Sequence, residues 1–152
     1  MRRFAALFDA LDASTATGDK VAAMVQYFGG APAQDAAWAV YFLAGGKPRQ
    51  VVPTAVLRST ACAAAGIDDW LFDACYQAVG DLAETIAHVL PPPARRSDDG
   101  LAHWVEQRLL PLRGLAPEEQ ALRLRAAFDD LAAPERFLLV KLIGGGFRVG
   151  VS

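Results

Sequence analysis

The strongest signal for the fold lies in residues 67–89, which read IDDWLFDACYQAVGDLAETIAHV. Apolar residues recur there at helical spacing, in one long stripe of Ile67, Leu71, Cys75, Val79, Leu82, Ile86 and Val89 and a second stripe of Phe72, Tyr76 and Ala83. Since a helix with two apolar stripes is buried on two sides, we expect this segment to lie at the centre of the fold. A helix start at Asp68 or Asp69 and a break at Gly80 are predicted.

Helical spacing also governs the sequence on both sides of this segment. Apolar stripes run through residues 4–11, 21–28, 38–42 and 56–60 before it, and through 101–109, 124–131 and 137–142 after it. Sustained alternation of β-branched residues, which is typical of strands, is absent. The sequence therefore predicts one compact all-α domain over residues 1–152, with about eight to ten helices. Trp38, Trp70 and Trp104 are expected in its core.

Residues 91–100 form the one clear loop in this pattern. They open with three consecutive prolines, contain Arg95, Arg96, Asp98 and Asp99, and end at Gly100. This composition predicts an exposed and mobile connection within the domain.

Composition narrows the class of protein. Hydrophobic residues make up 53% of the 152 residues, so a single domain with a real core is expected. No apolar run is long enough to cross a membrane, and the N-terminal residues lack the apolar core of a signal peptide. We therefore expect a cytoplasmic protein with no membrane partner. The cysteines and histidines do not have zinc-ligand spacing, so two reduced thiols and no metal site are predicted.

The charge is unevenly distributed along the chain. The formal net charge is −2, yet residues 31–60 and 134–152 each carry two surplus positive charges, while residues 61–90 carry five acidic residues and no Lys or Arg. Both basic segments contain glycine-rich turns. Such a distribution is consistent with an anionic partner or with ordinary solvated surface.

The two glycine-rich turns are the candidate binding sites. Glycine lets a foreign backbone approach closely, and flanking cations favour a phosphate. The first turn, with the helix start after it, offers Lys47, Arg49, Thr54 and Arg58, and the second offers Lys141, Gly144, Gly145, Gly146 and Arg148. Thr54 either bonds a phosphate oxygen or caps its helix. We expect the two turns to lie side by side on one face.

Two further residues near these turns have more than one interpretation. Asp81 is expected to accept hydrogen bonds from backbone N–H groups at a helix start, or to pair with a basic residue and orient it, because phosphate would repel it directly. Phe147 either inserts into a groove of the anionic partner or packs beneath the second turn.

No catalytic constellation is found. The sequence lacks a G-x-x-x-x-G-K-[ST] phosphate loop, a G-x-G-x-x-G after a strand and an H-E-x-x-H motif. We expect no catalytic residue, no metal and no cofactor in this chain. The ending at Ser152, a helix-capping type of residue with no helix after it, suggests a sequence cut from a longer protein.

Three segments together resemble a known family. They are residues 41–54, which read YFLAGGKPRQVVPT, residues 76–85, which read YQAVGDLAET, and residues 137–152, which read FLLVKLIGGGFRVGVS. In this order and spacing they resemble the N-terminal DNA-binding domain of bacterial ATP-dependent DNA ligases, of the type linked to cisplatin damage. The resemblance implies an all-helical domain that grips nicked double-stranded DNA from the minor-groove side, with functions in DNA repair, recombination and replication.

The resemblance also implies what should lie elsewhere in a full-length ligase. A nucleotidyltransferase domain and an OB-fold domain follow in the family, and the nucleophilic lysine stands in a K-x-D-G motif. None of Lys20, Lys47 and Lys141 begins such a motif. ATP and Mg²⁺ are therefore expected to act in the full-length ligase and not in this chain, which we expect to be monomeric.

Two other function classes remain open from the sequence. One is a helical protein–protein interaction module, in which the glycine turns only end helices. The other is a free-standing enzyme, which would take up AMP from ATP.

Overall fold

The computed structural model describes residues 1–48 and 51–144, and in that part of the chain it contains nine α-helices and no β-strand. The predicted all-α class and the predicted number of helices are confirmed. The helices are α1 (Arg2–Ala13), α2 (Thr17–Gly30), α3 (Ala33–Leu43), α4 (Thr54–Ala65), α5 (Asp69–Val79), α6 (Leu82–Val89), α7 (Leu101–His103), α8 (Pro117–Asp129) and α9 (Ala133–Gly144).

The core is built where the helices cross. α6 packs against α9, α4 against α8, and α1 against both α2 and α9. The largest fully buried side chains include Trp104, Phe4, Phe42, Phe72 and Phe128. Burial of each such side chain contributes about 1.5–3 kcal/mol of transfer free energy. The apolar stripes of separate helices thus meet in one continuous core.

The expectation that residues 67–89 are central is correct for α6 and wrong for α5. Gly80 divides the segment as predicted, with a φ of 84° after α5 ends. α6 buries Ala83, Thr85, Ile86 and Ala87, whereas Phe72 is the single buried residue of α5. Trp70 is 68% exposed, so its expected place in the core is also wrong. Only one of the two apolar stripes of α5 is covered by neighbouring helices.

A buried arginine joins α9 to the rest of the chain. Arg136 is 3% exposed, and its guanidinium donates to the carbonyls of Phe128 (2.9 Å) and Pro91 (2.7 Å). Burial lowers the pKa of this guanidinium from its ordinary value. One side chain thereby ties the end of α8 and the beginning of the loop to the last helix.

The loop at residues 91–100 is exposed, as expected, and it is also anchored. The backbone N–H groups of Arg95 and Ser97 donate to the carbonyls of Asp129 and Asp130, at 3.2 and 2.9 Å. The Asp130 carboxylate pairs with Arg95 (3.0 Å) and Arg108 (3.2 Å). These bonds hold the loop against the C-terminal end of α8; its mobility stays a prediction.

The helix after the loop changes its winding along its length. The α-helical turn of α7 continues as a π-helix over Trp104–Leu109 and a 3₁₀ turn over Leu110–Leu112. Asp35 of α3 supports its start, because its carboxylate accepts from the Ala102 N–H at 2.9 Å. A Cβ on Gly100 would lie 2.4 Å from that carboxylate, so this approach needs glycine. Pro111 lies within the 3₁₀ turn.

Candidate nucleic-acid interface

The first glycine-rich turn ends α3 in a conformation that requires both of its glycines. The Gly46 N–H donates to the Tyr41 carbonyl at 2.8 Å, which closes the end of the helix. Gly45 has a φ of 95°, in the left-handed region that disfavours other residues. A Cβ on Gly46 would lie 2.6 Å from both the carbonyl and the ring of Tyr41. The glycine pair thus turns the chain sharply at the surface.

Lys47 leaves this turn as an exposed residue. The Tyr41 hydroxyl donates to the Lys47 carbonyl at 3.0 Å, so the main chain that carries the lysine is fixed to α3. Lys47 also lines an open cleft, which we call the aromatic cleft, together with Trp38, Tyr41, Pro48, Leu110 and Arg113. The predicted site residue therefore has a second cation, Arg113, on the same cleft.

A buried glutamine holds the chain beyond this turn. Gln120 of α8 is 4% exposed, and its amide donates to the carbonyls of Val51 (3.2 Å) and Leu112 (3.0 Å). Val51 and Val52 are themselves buried. Gln120 thus fixes the entry into α4 against the 3₁₀ turn that precedes Arg113. Neither Gln120 nor Arg113 was expected as a site residue, although Arg113 precedes Gly114 (φ 80°) in another cation–glycine pattern.

The N-terminus of α4 is exposed and lacks a side-chain cap. Pro53 occupies the cap position and Thr54 is the first helical residue, so the capping alternative for Thr54 is wrong. No acidic residue lies in the first turn of this helix, unlike the first turns of α2, α3, α5, α6, α8 and α9. The positive end of the helix dipole therefore faces solvent without an acidic side chain from its own first turn.

Arg58, one turn further along α4, is paired with an acidic residue. Its guanidinium forms an ion pair with Asp73 of α5, and its central carbon lies 5.5 Å from the centre of the Phe72 ring. Roughly a third of the Arg58 side chain stays exposed. The structure thus orients Arg58 toward α5.

Lys141, near the end of α9, is paired in the same way. Its ammonium group lies 2.9 Å from Oδ1 of Asp81 and 5.4 Å from the centre of the Phe137 ring. Oδ2 of Asp81 accepts from the Glu84 N–H at 3.3 Å and caps α6. Both predicted roles of Asp81, at a helix start and with a basic residue, are therefore confirmed. Gly144 follows as the exposed last residue of α9.

The predicted site residues thus fall into three places within the described part of the chain. Lys47 lies on the aromatic cleft, Thr54 and Arg58 lie on the first turns of α4, and Lys141 lies beside the start of α6. Arg49, Gly145, Gly146, Phe147 and Arg148 lie outside the described residues. The expectation that the two glycine turns lie side by side stays a prediction.

The chemistry available in residues 1–48 and 51–144 is set by their possible metal ligands and thiols. No group of three or more His, Cys, Asp or Glu side chains in these ranges is placed to hold a metal ion. Burial, followed by a hydrogen bond to Asp69, raises the pKa of the Cys62 thiol, which keeps it in its unreactive protonated form. None of the helices there is long and apolar enough to span a membrane.

Comparison with known proteins identifies the family. The model of the family described as "DNA ligase N terminus" matches residues 1–152. A search of curated proteins finds no match. The all-helical fold and the resemblance of the three segments agree with the family match. Because the match extends over the full sequence, the chain belongs to the family of DNA ligase N-terminal domains.

Proposed function

We propose that this domain binds nicked double-stranded DNA without sequence preference, through phosphate contacts, as the N-terminal domain of an ATP-dependent DNA ligase. The family supports a ligase-associated role. The observation that carries the proposal is the glycine turn after α3, which presents exposed Lys47 on a main chain fixed by Tyr41. A cation on a rigid turn suits phosphate contact, which positions a protein on DNA without reading its sequence.

The exposed start of α4 adds a second phosphate site to the proposal. Its first two backbone N–H groups, those of Thr54 and Ala55, precede the first bonds to the Pro53 carbonyl, and no side chain caps the helix. The helix dipole contributes about half a positive charge there. The Thr54 hydroxyl, at the same helix end, is assigned a hydrogen bond to a phosphate oxygen.

Arg58 and Lys141 enter the proposal as cations that are already paired with Asp73 and Asp81. Both ion pairs are partly exposed, and such pairs are worth about 1 kcal/mol or less. A phosphate with two or more partners can therefore displace a carboxylate at small cost. Arg49, Gly144, Gly145, Gly146 and Arg148 complete the proposed surface.

The test is a salt titration of binding to a labelled nicked duplex, followed by fluorescence anisotropy. Phosphate binding predicts that the logarithm of affinity falls linearly with the logarithm of salt concentration, with a slope of about −0.9 for each contact. Lys47→Ala should make the slope about 1 less steep and weaken binding equally on duplexes of different sequence. Intact duplexes of the same sequence measure the preference for a nick.

Arg123→Ala is the matched control, because Arg123 is an exposed arginine of α8 that pairs with Glu119 at 2.9 Å and is not one of the proposed site residues. It should leave both affinity and slope unchanged. A wild-type domain that fails to bind at about 50 mM salt, or whose binding ignores salt, would refute the proposed function.

The wider proposal concerns the full-length ligase. We assign adenylation, ATP and Mg²⁺ to a nucleotidyltransferase domain and an OB-fold domain of the same protein, which would work on DNA repair, recombination and replication in the bacterial cytoplasm. This domain alone, as a monomer, should gain no mass when incubated with ATP and Mg²⁺. A mass increase equal to one AMP would show a free-standing enzyme instead.

A second candidate function, protein–protein interaction, is favoured by one observation. Leu71 and Val79, on one apolar stripe of α5, are 38% and 41% exposed, and Trp70 beside Leu71 is 68% exposed. Exposed apolar patches often mark protein contacts. Trp70→Ser should leave DNA affinity unchanged if DNA lies elsewhere. Loss of DNA binding in Trp70→Ser with the fold intact would instead assign this face to DNA.

A further inference from the structure

The aromatic cleft joins two cations that are far apart in the sequence. Lys47 comes from the turn after α3, and Arg113 follows the 3₁₀ turn after the π-helix. Both side chains are exposed, and none of the lining residues within 1–48 and 51–144 is acidic. The cleft has a volume of about 640 Å³. Its charge is therefore complementary to an anion that reaches both cations.

The wall of the cleft is aromatic and rigid. Trp38 stacks on Phe42 with ring centres 5.9 Å apart and meets Tyr41 edge-on at 5.6 Å. Phe42 is fully buried, which fixes the stack to the core. Leu110 and Pro48 extend the apolar lining. A ligand body that contacts this wall must itself present an apolar surface between its charges.

The two cationic segments are fixed relative to each other. Gln120 bonds the carbonyl of Leu112, directly before Arg113, and the carbonyl of Val51, four residues after Lys47. Tyr41 bonds the carbonyl of Lys47 itself. Rigid supports of this kind reduce the ordering cost of binding. The fold therefore holds the main chain on both sides of the cleft before any ligand arrives.

The cleft lacks the features of a site for one small molecule. Such sites carry several placed polar groups that orient the ligand. Apart from the two cations, the lining side chains named above offer an indole N–H and a phenol, and the phenol already bonds the Lys47 carbonyl. The cleft offers positive charge and apolar surface but few groups that would orient a small ligand. Such a cleft suits a repeating polyanion that has apolar parts between its charges.

From this arrangement we propose that the aromatic cleft holds one sugar–phosphate strand of the DNA, with phosphates on Lys47 and Arg113 and deoxyribose against Trp38, Tyr41 and Leu110. This inference rests on the proposed function and adds Arg113, the aromatic wall and the positioning role of Gln120 to it. Only the backbone is contacted, so the cleft reads no bases.

The experiment measures anisotropy of a nicked duplex over a range of salt for the wild type, Lys47→Ala, Arg113→Ala and Arg113→Lys. Arg113→Ala should make the salt slope about 1 less steep, as Lys47→Ala does. Arg113→Lys should restore most of the slope, because a phosphate contact needs charge more than shape. A double variant that combines Lys47→Ala with Arg113→Ala should make the salt slope about 2 less steep.

Control measurements separate failure of this inference from failure of the proposed function. Arg123→Ala removes an exposed arginine of α8 outside the cleft and should match the wild type. If the wild type does not bind DNA, both proposals are wrong. In a second outcome, the wild type binds, Lys47→Ala flattens the salt slope, and Arg113→Ala has the same slope as the control Arg123→Ala. The cleft assignment is then wrong, and the proposed function stands.

A second variant tests the aromatic wall independently of charge. Tyr41→Phe keeps the ring but removes the hydrogen bond to the Lys47 carbonyl, so it should weaken binding slightly, whereas Tyr41→Ser also removes the ring and should weaken binding further at every salt concentration. Thermal melting confirms that each variant is folded. Equal affinity of Tyr41→Ser and Tyr41→Phe would remove the deoxyribose contact from the proposal.

Discussion

At the scale of single residues, Gly46 is the most constrained position of the candidate interface. Its substitution by alanine would place a Cβ 2.6 Å from the Tyr41 carbonyl and ring. Because the backbone oxygen cannot move freely, we expect Gly46→Ala to lower the free energy of unfolding by about 1–3 kcal/mol. Urea unfolding followed by circular dichroism measures the change.

Gly29→Ala is the control for this prediction. Gly29 lies in α2, is exposed, and has no atom within 4 Å of an added Cβ. Alanine is the better helix former, so this variant should gain up to about 0.5–1 kcal/mol. If Gly46→Ala were as stable as Gly29→Ala, the tight packing of the turn would be disproved.

Residues differ in how far the sequence reveals their roles. The turns at Gly45, Gly46 and Gly80 are predictable, because a glycine that ends an apolar stripe acts locally. Gln120 and Arg136 are not, because their partners are backbone carbonyls as far as 69 and 45 residues away. A backbone carbonyl belongs to every residue, so no side-chain pattern marks which ones will be bonded.

At the scale of elements, the junction of α6 and α9 depends on Asp81. This side chain caps α6 and pairs with Lys141, so Asp81→Ala should lose both contributions, about 1 kcal/mol for the cap and up to about 1 kcal/mol for the pair. Asp81→Asn keeps an N-cap oxygen and should lose only the pair. Lys141→Met should cost about as much as Asp81→Asn.

A double-mutant cycle checks this division. Asp81→Asn combined with Lys141→Met should be no less stable than either single variant, because the same ion pair is lost only once. Strictly additive losses in the cycle would show that the two side chains do not interact in solution.

The limits of periodicity appear in α5 and α6. Both helices carry apolar stripes, yet only α6 is enclosed by neighbours. Periodicity identifies a helix and its apolar sides, but it does not say how many helices will pack on them. Likewise, the π-helical winding of Trp104–Leu109 depends on how that segment meets its neighbours, and its local sequence predicts only a helix.

At the scale of the whole molecule, stability should fall with alkaline pH because of a buried tyrosine. Tyr27 is 6% exposed beside Phe4 and Phe28, and burial raises its pKa to about 12. The unfolded chain releases this proton near pH 10. Between about pH 10 and 12 the folded state therefore binds more protons, and stability decreases as pH rises.

Tyr27→Phe removes this proton while it keeps the ring. The difference in the free energy of unfolding between the variant and the wild type should shift in favour of the variant from pH 9 to about pH 11.5. Urea midpoints at several pH values supply the comparison. A difference that does not change with pH would contradict the raised pKa of Tyr27.

The pairing of Arg58 with Asp73 and of Lys141 with Asp81 has a consequence for the energetics of the whole domain. These carboxylates act as internal counterions, so contact with a phosphate at either cation would replace an ion pair within the protein by an ion pair with the DNA. The phosphate would still release its condensed counterions, but separation of the internal pair would reduce the gain in affinity from these two contacts. A net negative charge is thus compatible with a polyanionic partner, because Asp73 and Asp81 hold their cations in place on the surface.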